Sequence, residues 1–140
     1  MKVKQAMHQE ASWCEPGTSI CDVAQRMKSE DVGAIPIGEN DRLVGMVTDR
    51  DIALRAVAEG RDCKKTTARE VMSNKVLYCN EDQELEDAVR IMENNQIRRL
   101  PVINSDKRLV GMLSLGDVSH AAGQSLSGEL LKAVSAHHAH

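Results

Sequence analysis

The chain has no Phe, one Trp and one Tyr among its 140 residues. Stacking platforms for single-stranded nucleic acid are therefore nearly absent. A basic excess is missing too, with a formal net charge of −3. Duplex binding needs concentrated cations to displace counterions, so no nucleic-acid partner is expected. No apolar run approaches the ~18–20 residues of a membrane helix. The opening MKVKQAMHQEASW lacks the apolar centre of a signal peptide. A cytoplasmic location is expected, with no membrane partner. The four cysteines, Cys14, Cys21, Cys63 and Cys79, form no C-x-x-C pair and have no His at zinc-ligand spacing. They read as small, mostly buried, reduced side chains, with a disulfide left open. His8, His120, His137, His138 and His140 lie in the termini or on a late helix and read as solvent-facing. No general base stands beside a nucleophile, so neither catalysis nor a metal site is expected. Zinc at the terminal HHAH is the weakest alternative.

What the chain does have is a duplication. Met7, Cys14, Asp22, Met27 and Pro36 recur 65 residues later as Met72, Cys79, Asp87, Met92 and Pro101. After Pro101 the offset grows to 66, and RLVGM at residues 42–46 returns at 108–112. That period is too long for a solenoid repeat of ~20–50 residues, so two half-domains are expected.

Each copy carries the same pattern. A short lead-in (ASWC or VLYC) precedes a helix whose apolar face is Ile20, Val23, Ala24 and Met27, or Leu85, Ala88, Val89 and Met92. Ser19 stands three before Asp22, as in a capping box. Two short strands follow, AIPI and LVGMV or LPVI and LVGML, joined by the turn residues GEND or NSDK. Pro36 and Pro101 lack a ladder donor and are expected at a strand start or an edge. A last helix begins near Thr48 or Ser114. Thr67 and Glu70 have capping-box spacing, so a short helix should open the second copy. Ser127 is placed to cap a tail helix carrying Leu130, Leu131 and Val134, and the final AHHAH is expected to fray.

The junctions T-D-R-D (Thr48–Asp51) and S-L-G-D (Ser114–Asp117) admit two readings. The plain one is a helix cap. The functional one uses the carboxylate, an acceptor with two oxygens, to bind the adjacent hydroxyls of a ribose. A phosphate nearby would then need cations, and Arg98 and Arg99 in QIRRLPV offer forks suited to it. The first copy has Gly33 and Ala34 at the matching places, so the two junctions are not equivalent.

The stretches D-A-V-x-x-M-x-x-N-x-I-R-R-L-P-V with L-V-G-M-L-S-x-x-D, and DVAQRMKSEDVGAIPI with LVGMVTDRD, resemble CBS motifs, named from cystathionine β-synthase. Together they resemble a tandem CBS pair, or Bateman module, of the stand-alone bacterial type, over roughly residues 1–122. The expected fold class is α+β, two β-α-β-β-α repeats about a pseudo-two-fold axis. The expected layout is 1–60 for the first motif, 61–70 for a linker and the start of the second, 71–122 for the second motif, and 123–140 for a helical tail.

The resemblance implies two clefts between the copies that hold AMP, ADP, ATP or another adenosyl compound, with no catalytic cofactor. One site would use Thr48 and Asp51 with Leu77, Ile97, Arg98 and Arg99. The other would use Ser114 and Asp117 with Ser12, Val32, Gly33 and Ala34. The second, with less cation, is expected to be weaker for nucleotides or to favour an uncharged adenosyl ligand. The implied role is a non-catalytic ligand sensor acting on an unidentified regulated protein. The resemblance also implies a homodimer of pairs, for which Ile52, Leu54 and Val57 are candidate contacts unless they are core. The alternative is a structural or protein-interaction module with empty clefts.

Overall fold

A computed structural model describes residues 1–9, 12–121 and 124–137. It divides the chain into two compact units. The first comprises Ser12–Val76, and the second joins Met1–Ala11 to Leu77–His140.

In the first unit, α2 (Ile20–Glu30) starts at Ser19, whose Oγ accepts from the Asp22 amide at 3.2 Å. The helix buries Ile20, Val23 and Met27, while Ala24 is exposed. The expected stripe is thus one residue narrower, because positions i, i+3 and i+7 already cover the face that meets the sheet. The hairpin β1 (Ala34–Glu39) and β2 (Arg42–Thr48) follows, with a register shift at Ile37/Gly38. Cys14 bridges to Ile37 in parallel on the outer side of β1. Beyond Thr48, α3 (Asp49–Ile52) runs into a π-helical turn at Ala53–Val57. The short helix α4 (Ala68–Val71) closes the unit. Its Thr67 Oγ donates to Glu70 at 3.3 Å rather than capping the backbone.

The second unit repeats the order. It has α1 (Val3–Ala6), then β3 (Cys79–Asn80), α5 (Leu85–Asn95), β4 (Arg99–Ile103), β5 (Leu109–Ser114), α6 (Leu115–Ala121) and α7 (Gln124–His137). The sheet order is β3-β4-β5, with β3 parallel and β5 antiparallel to β4. Leu85, Ala88, Val89 and Met92 are all buried. The tail helix starts before Ser127, which therefore lies inside it, and Val134 is buried. Of the terminal AHHAH, residues 138–140 lie outside the described residues, as do residues 122 and 123.

The leading segment of each copy packs in the other copy's unit. Val3 belongs to the core of Leu85, Val89, Met92, Leu100 and Leu113. In the other repeat Ala68, the counterpart of Val3, and Val71, that of Ala6, belong to the core of Ile20, Val23, Ile35, Ile37 and Val47. Each segment is a hook that ends in a bridge to the hairpin. His8 exchanges backbone bonds with Met112 at 3.0 and 3.1 Å, and Ser73 does so with Met46 at 3.1 and 2.9 Å.

These bridges explain two repeated residue choices. Met112 and Met46 point their backbone groups toward the hooks, so the facing prolines stand opposite non-bonded positions. Pro36 and Pro101 therefore sit inside β1 and β4, paired with Met46 and Met112, rather than at a strand start. The missing N–H costs no ladder bond to that neighbour. The glycine of RLVGM lets each hook approach. A Cβ on Gly111 would press on the His8 carbonyl oxygen and on Met7 Sδ at 2.7 Å. One on Gly45 would press on the Met72 side chain and meet the Ser73 carbonyl oxygen at 3.2 Å.

Cys14 and Cys79 are free and buried, but Cys21 and Cys63 form a disulfide with Cα atoms 5.2 Å apart. The reduced state expected for all four cysteines is therefore corrected for this pair. The reason is tertiary. The segment after the π-helical turn folds back over the start of α2, where the Cys21 amide donates to the Cys63 carbonyl at 3.1 Å and the Ile20 amide to Thr66 at 2.9 Å.

Candidate functional site

Both S/T-x-x-D junctions are reciprocal caps. The Thr48 amide donates to Asp51 Oδ2 at 2.9 Å, and the Asp51 amide to Thr48 Oγ1 at 3.1 Å. The Ser114 amide donates to Asp117 Oδ2 at 2.9 Å, and the Asp117 amide to Ser114 Oγ at 3.1 Å. One oxygen of each carboxylate thus satisfies a helix-start amide, leaving Oδ1 of each for something else.

What meets that second oxygen differs. Asp51 Oδ1 has the Arg55 guanidinium at 3.9 Å, beyond hydrogen-bond reach, and the side chain keeps 17% of its surface. Asp117 Oδ1 has the His8 imidazole Nδ1 at 2.6 Å and keeps only 7%. Arg55 is committed elsewhere, donating to the carbonyls of Val71 at 2.9 Å and Met72 at 3.3 Å. It thereby links the carboxylate to the end of the hook. In the other unit the hook itself supplies the facing group, the His8 imidazole.

The pre-proline residues lie beside the junction of their own unit. Ala34 pairs with Thr48, and the Asp49 amide donates to the Gly33 carbonyl at 2.9 Å. Arg99 pairs with Ser114, and the Leu115 amide donates to the Arg98 carbonyl at 2.9 Å. The backbone is the same, but the charge is opposite. A Cβ on Gly33 would stand 3.0 Å from Asp49 Oδ2, so that corner is acidic. The corresponding corner carries Arg98, exposed, and Arg99, half-buried. Among the described residues, neither guanidinium pairs with a carboxylate.

The remaining candidates are more scattered. Val32 packs against the first unit's core, and Ile97 against the second's. Leu77 is exposed. Ser12 Oγ donates to Glu30 at 2.9 Å and accepts from Arg26 at 3.4 Å, so it is held by α2. Ile52 packs on the core, whereas Leu54 and Val57 are exposed.

Residue typing missed two participants, His8 and Arg55. His8 keeps 74% of its side-chain surface, yet it is paired rather than simply solvent-facing. Aligning the copies carries the signal. At the established offsets His8 corresponds to Ser73, and Arg55 to Ala121, so each copy has a nitrogen-bearing side chain facing its carboxylate where the other has none.

Burial raises the Cys14 thiol, with nearby Arg26 opposing, and pushes Cys79 up to about 12. Neither is poised as a thiolate. Among the described residues no group of His, Cys, Asp and Glu is arranged to hold a metal. No helix among them is long and apolar enough to cross a membrane.

Two half-domains, each a helix and a hairpin running into a capped S/T-x-x-D helix, define a tandem CBS pair. The chain belongs to the CBS-domain family, whose model matches residues 3–57 and again 68–123. Among relatives it is similar to the CBS domain-containing protein YhcV of Bacillus subtilis, 44% identical over 117 residues, covering 84% of this chain and 82% of that one. Among solved structures it resembles Hypoxic Response Protein I with two coordinated zinc ions, at TM-score 0.81 and 32% identity, covering 88% of this chain and 100% of that one. It also resembles the CBS domain pair of MJ0100 in complex with 5′-methylthioadenosine and S-adenosyl-L-methionine. That match has TM-score 0.76 and 27% identity, covering 88% and 100%.

Proposed function

We propose that the chain is a non-catalytic regulatory module that binds an adenosyl ligand, with Asp51 as the ribose acceptor. The observation that carries this reading is the second oxygen of Asp51. It sits on a carboxylate whose other oxygen is fixed by the Thr48 amide, and among the described residues no donor bonds to it, the Arg55 guanidinium standing 3.9 Å away. A vicinal diol supplies two adjacent donors of the required kind. The adenosyl compounds held by the MJ0100 pair support the ligand class. Thr48, Leu77, Ile97, Arg98 and Arg99 complete the proposed site, with the arginines facing phosphate. Ser114 and Asp117 with Ser12, Val32, Gly33 and Ala34 form the proposed weaker one. Binding would bias the packing of the module and through it a regulated protein. A second copy of the chain is the proposed occupant of the exposed Leu54 and Val57.

Calorimetric titration of the full chain with AMP, ADP, ATP, 5′-methylthioadenosine and S-adenosylmethionine tests this. Asp51→Ala should weaken the stronger site by about 1–3 kcal/mol through lost charge-assisted bonds. Arg98→Ala with Arg99→Ala should weaken AMP more than 5′-methylthioadenosine, which has no phosphate. Unchanged AMP affinity in Asp51→Ala removes that residue from the site.

One observation favours the structural alternative: both carboxylates already serve as helix caps. A melting temperature unmoved by all five compounds would establish it, since a ligand selective for the native state must raise that temperature.

A further inference from the structure

We infer that His8 is a built-in occupant of Asp117, so that a single carboxylate per chain, Asp51, is open to ligand. The inference rests on the reading that these carboxylates take the ligand's hydroxyls. It concerns which of the two can do so.

The contact is built rather than incidental. The His8 backbone is pinned to Met112 by two hydrogen bonds, and its imidazole is thereby delivered to Asp117 Oδ1 at 2.6 Å. With Oδ2 bonded to the Ser114 amide, both oxygens are engaged on a side chain that keeps 7% of its surface. A diol entering here must first displace the imidazole before its hydroxyls can donate to the carboxylate.

The first unit has the same hook and ladder but a different side chain. Ser73 is pinned to Met46 as His8 is to Met112, and among the described residues no hydrogen bond joins Ser73 to Asp51. The cation near Asp51 is Arg55, held at 3.9 Å by its bonds to the Val71 and Met72 carbonyls. Asp51 thus faces its nitrogen partner from 3.9 Å and Asp117 touches its own at 2.6 Å. One arrangement leaves an acceptor open, and the other closes it.

The experiment pairs a stoichiometry with a readout that needs no ligand. Wild type, His8→Ala, Asp51→Ala and Asp117→Asn are titrated with AMP and with 5′-methylthioadenosine. The His8 Nδ1 proton is followed by NMR, and circular dichroism checks that each variant folds. Wild type should bind one equivalent, lost or at least tenfold weaker in Asp51→Ala. His8→Ala, at a largely exposed position, should gain a second equivalent. The bonded Nδ1 proton should be present in wild type and absent in Asp117→Asn. Two equivalents in wild type, or one in His8→Ala, overturn the inference while leaving the adenosyl reading standing. No binding by any protein, with the Nδ1 proton present, overturns the reading and the inference together. A missing Nδ1 proton in wild type overturns the inference alone.

Discussion

The two units solve one problem with different chemistry. Each must hold a short hook against its hairpin and compensate a carboxylate at the start of the next helix. In the first unit one guanidinium does both, reaching from the π-helical turn to the Val71 carbonyl at 2.9 Å and standing 3.9 Å from Asp51. In the second, the hook carries its own imidazole, which touches Asp117 at 2.6 Å. The first unit has a covalent tie as well, the Cys21–Cys63 disulfide, and the second has no cysteine partner for Cys79. A duplicated backbone therefore keeps its hydrogen bonds while its side chains drift. What separates the repeats is which charges and thiols each retained.

The cysteines allow that difference to be measured. Cys79 lies in the second core with its thiol raised from an ordinary 9.0 to about 12, through burial alone. Above pH ~9 the unfolded chain ionises this thiol while the folded chain keeps the proton, so the unfolded state binds fewer protons and stability falls as pH rises. The contribution is intact below pH ~9 and is lost progressively toward ~12, by about 4 kcal/mol in total. Urea melts of wild type and Cys79→Ala across that range should show the steeper decline in wild type. Parallel slopes would mean that the buried thiol is not what distinguishes the second core.

A slightly smaller effect is expected from the disulfide, whose partners are 42 residues apart. Closing a loop of that size stabilises by about 2–4 kcal/mol, chiefly by restricting the unfolded chain. Reduction should lower the melting temperature, and native-state hydrogen exchange should show lost protection at the start of α2 and near Thr66. The amides of α5 and β4 should change least. Equal loss in both units would show that the tie stabilises the whole chain rather than its own half.

Local chemistry was the legible part of this fold. Ser19, Thr48 and Ser114 cap the helices that their spacing predicts, and the turns GEND and NSDK join antiparallel strands, because those interactions span three to six residues. The Leu85–Met92 stripe is buried for the same reason. The exchange of hooks was not legible, since nothing in VKQAMH distinguishes packing on its own repeat from packing on the other. Cys21 and Cys63 meet only because an inter-repeat segment folds back. Of the candidate site, the caps and the inequality of Arg98–Arg99 with Gly33–Ala34 could be read directly. Asp49 opposing Gly33, and His8 opposing Asp117, needed the backbone that brings residues distant in sequence together.

The smallest contrast is also the most local, and it tests whether the hooks are held equally firmly. Gly45 and Gly111 occupy the same place in the repeat, but an added methyl meets different obstacles. At Gly45 the nearest atoms belong to the flexible end of Met72, with the Ser73 carbonyl oxygen at 3.2 Å. At Gly111 the nearest is the His8 backbone carbonyl, with Met7 Sδ at 2.7 Å. A methionine side chain can swing aside, whereas the carbonyl of a residue held by two ladder bonds moves only with the hook. Overpacking costs typically ~1–3 kcal/mol, so Gly45→Ala should fall at or below the low end and Gly111→Ala toward the high end. Urea denaturation of the two variants reads the difference. Gly111→Ala should also lift His8 from Asp117, exposing amides 3–8 to hydrogen exchange. Equal costs for the two variants would show that the second hook yields as easily as a side chain, and the imidazole would then not be rigidly delivered to its carboxylate.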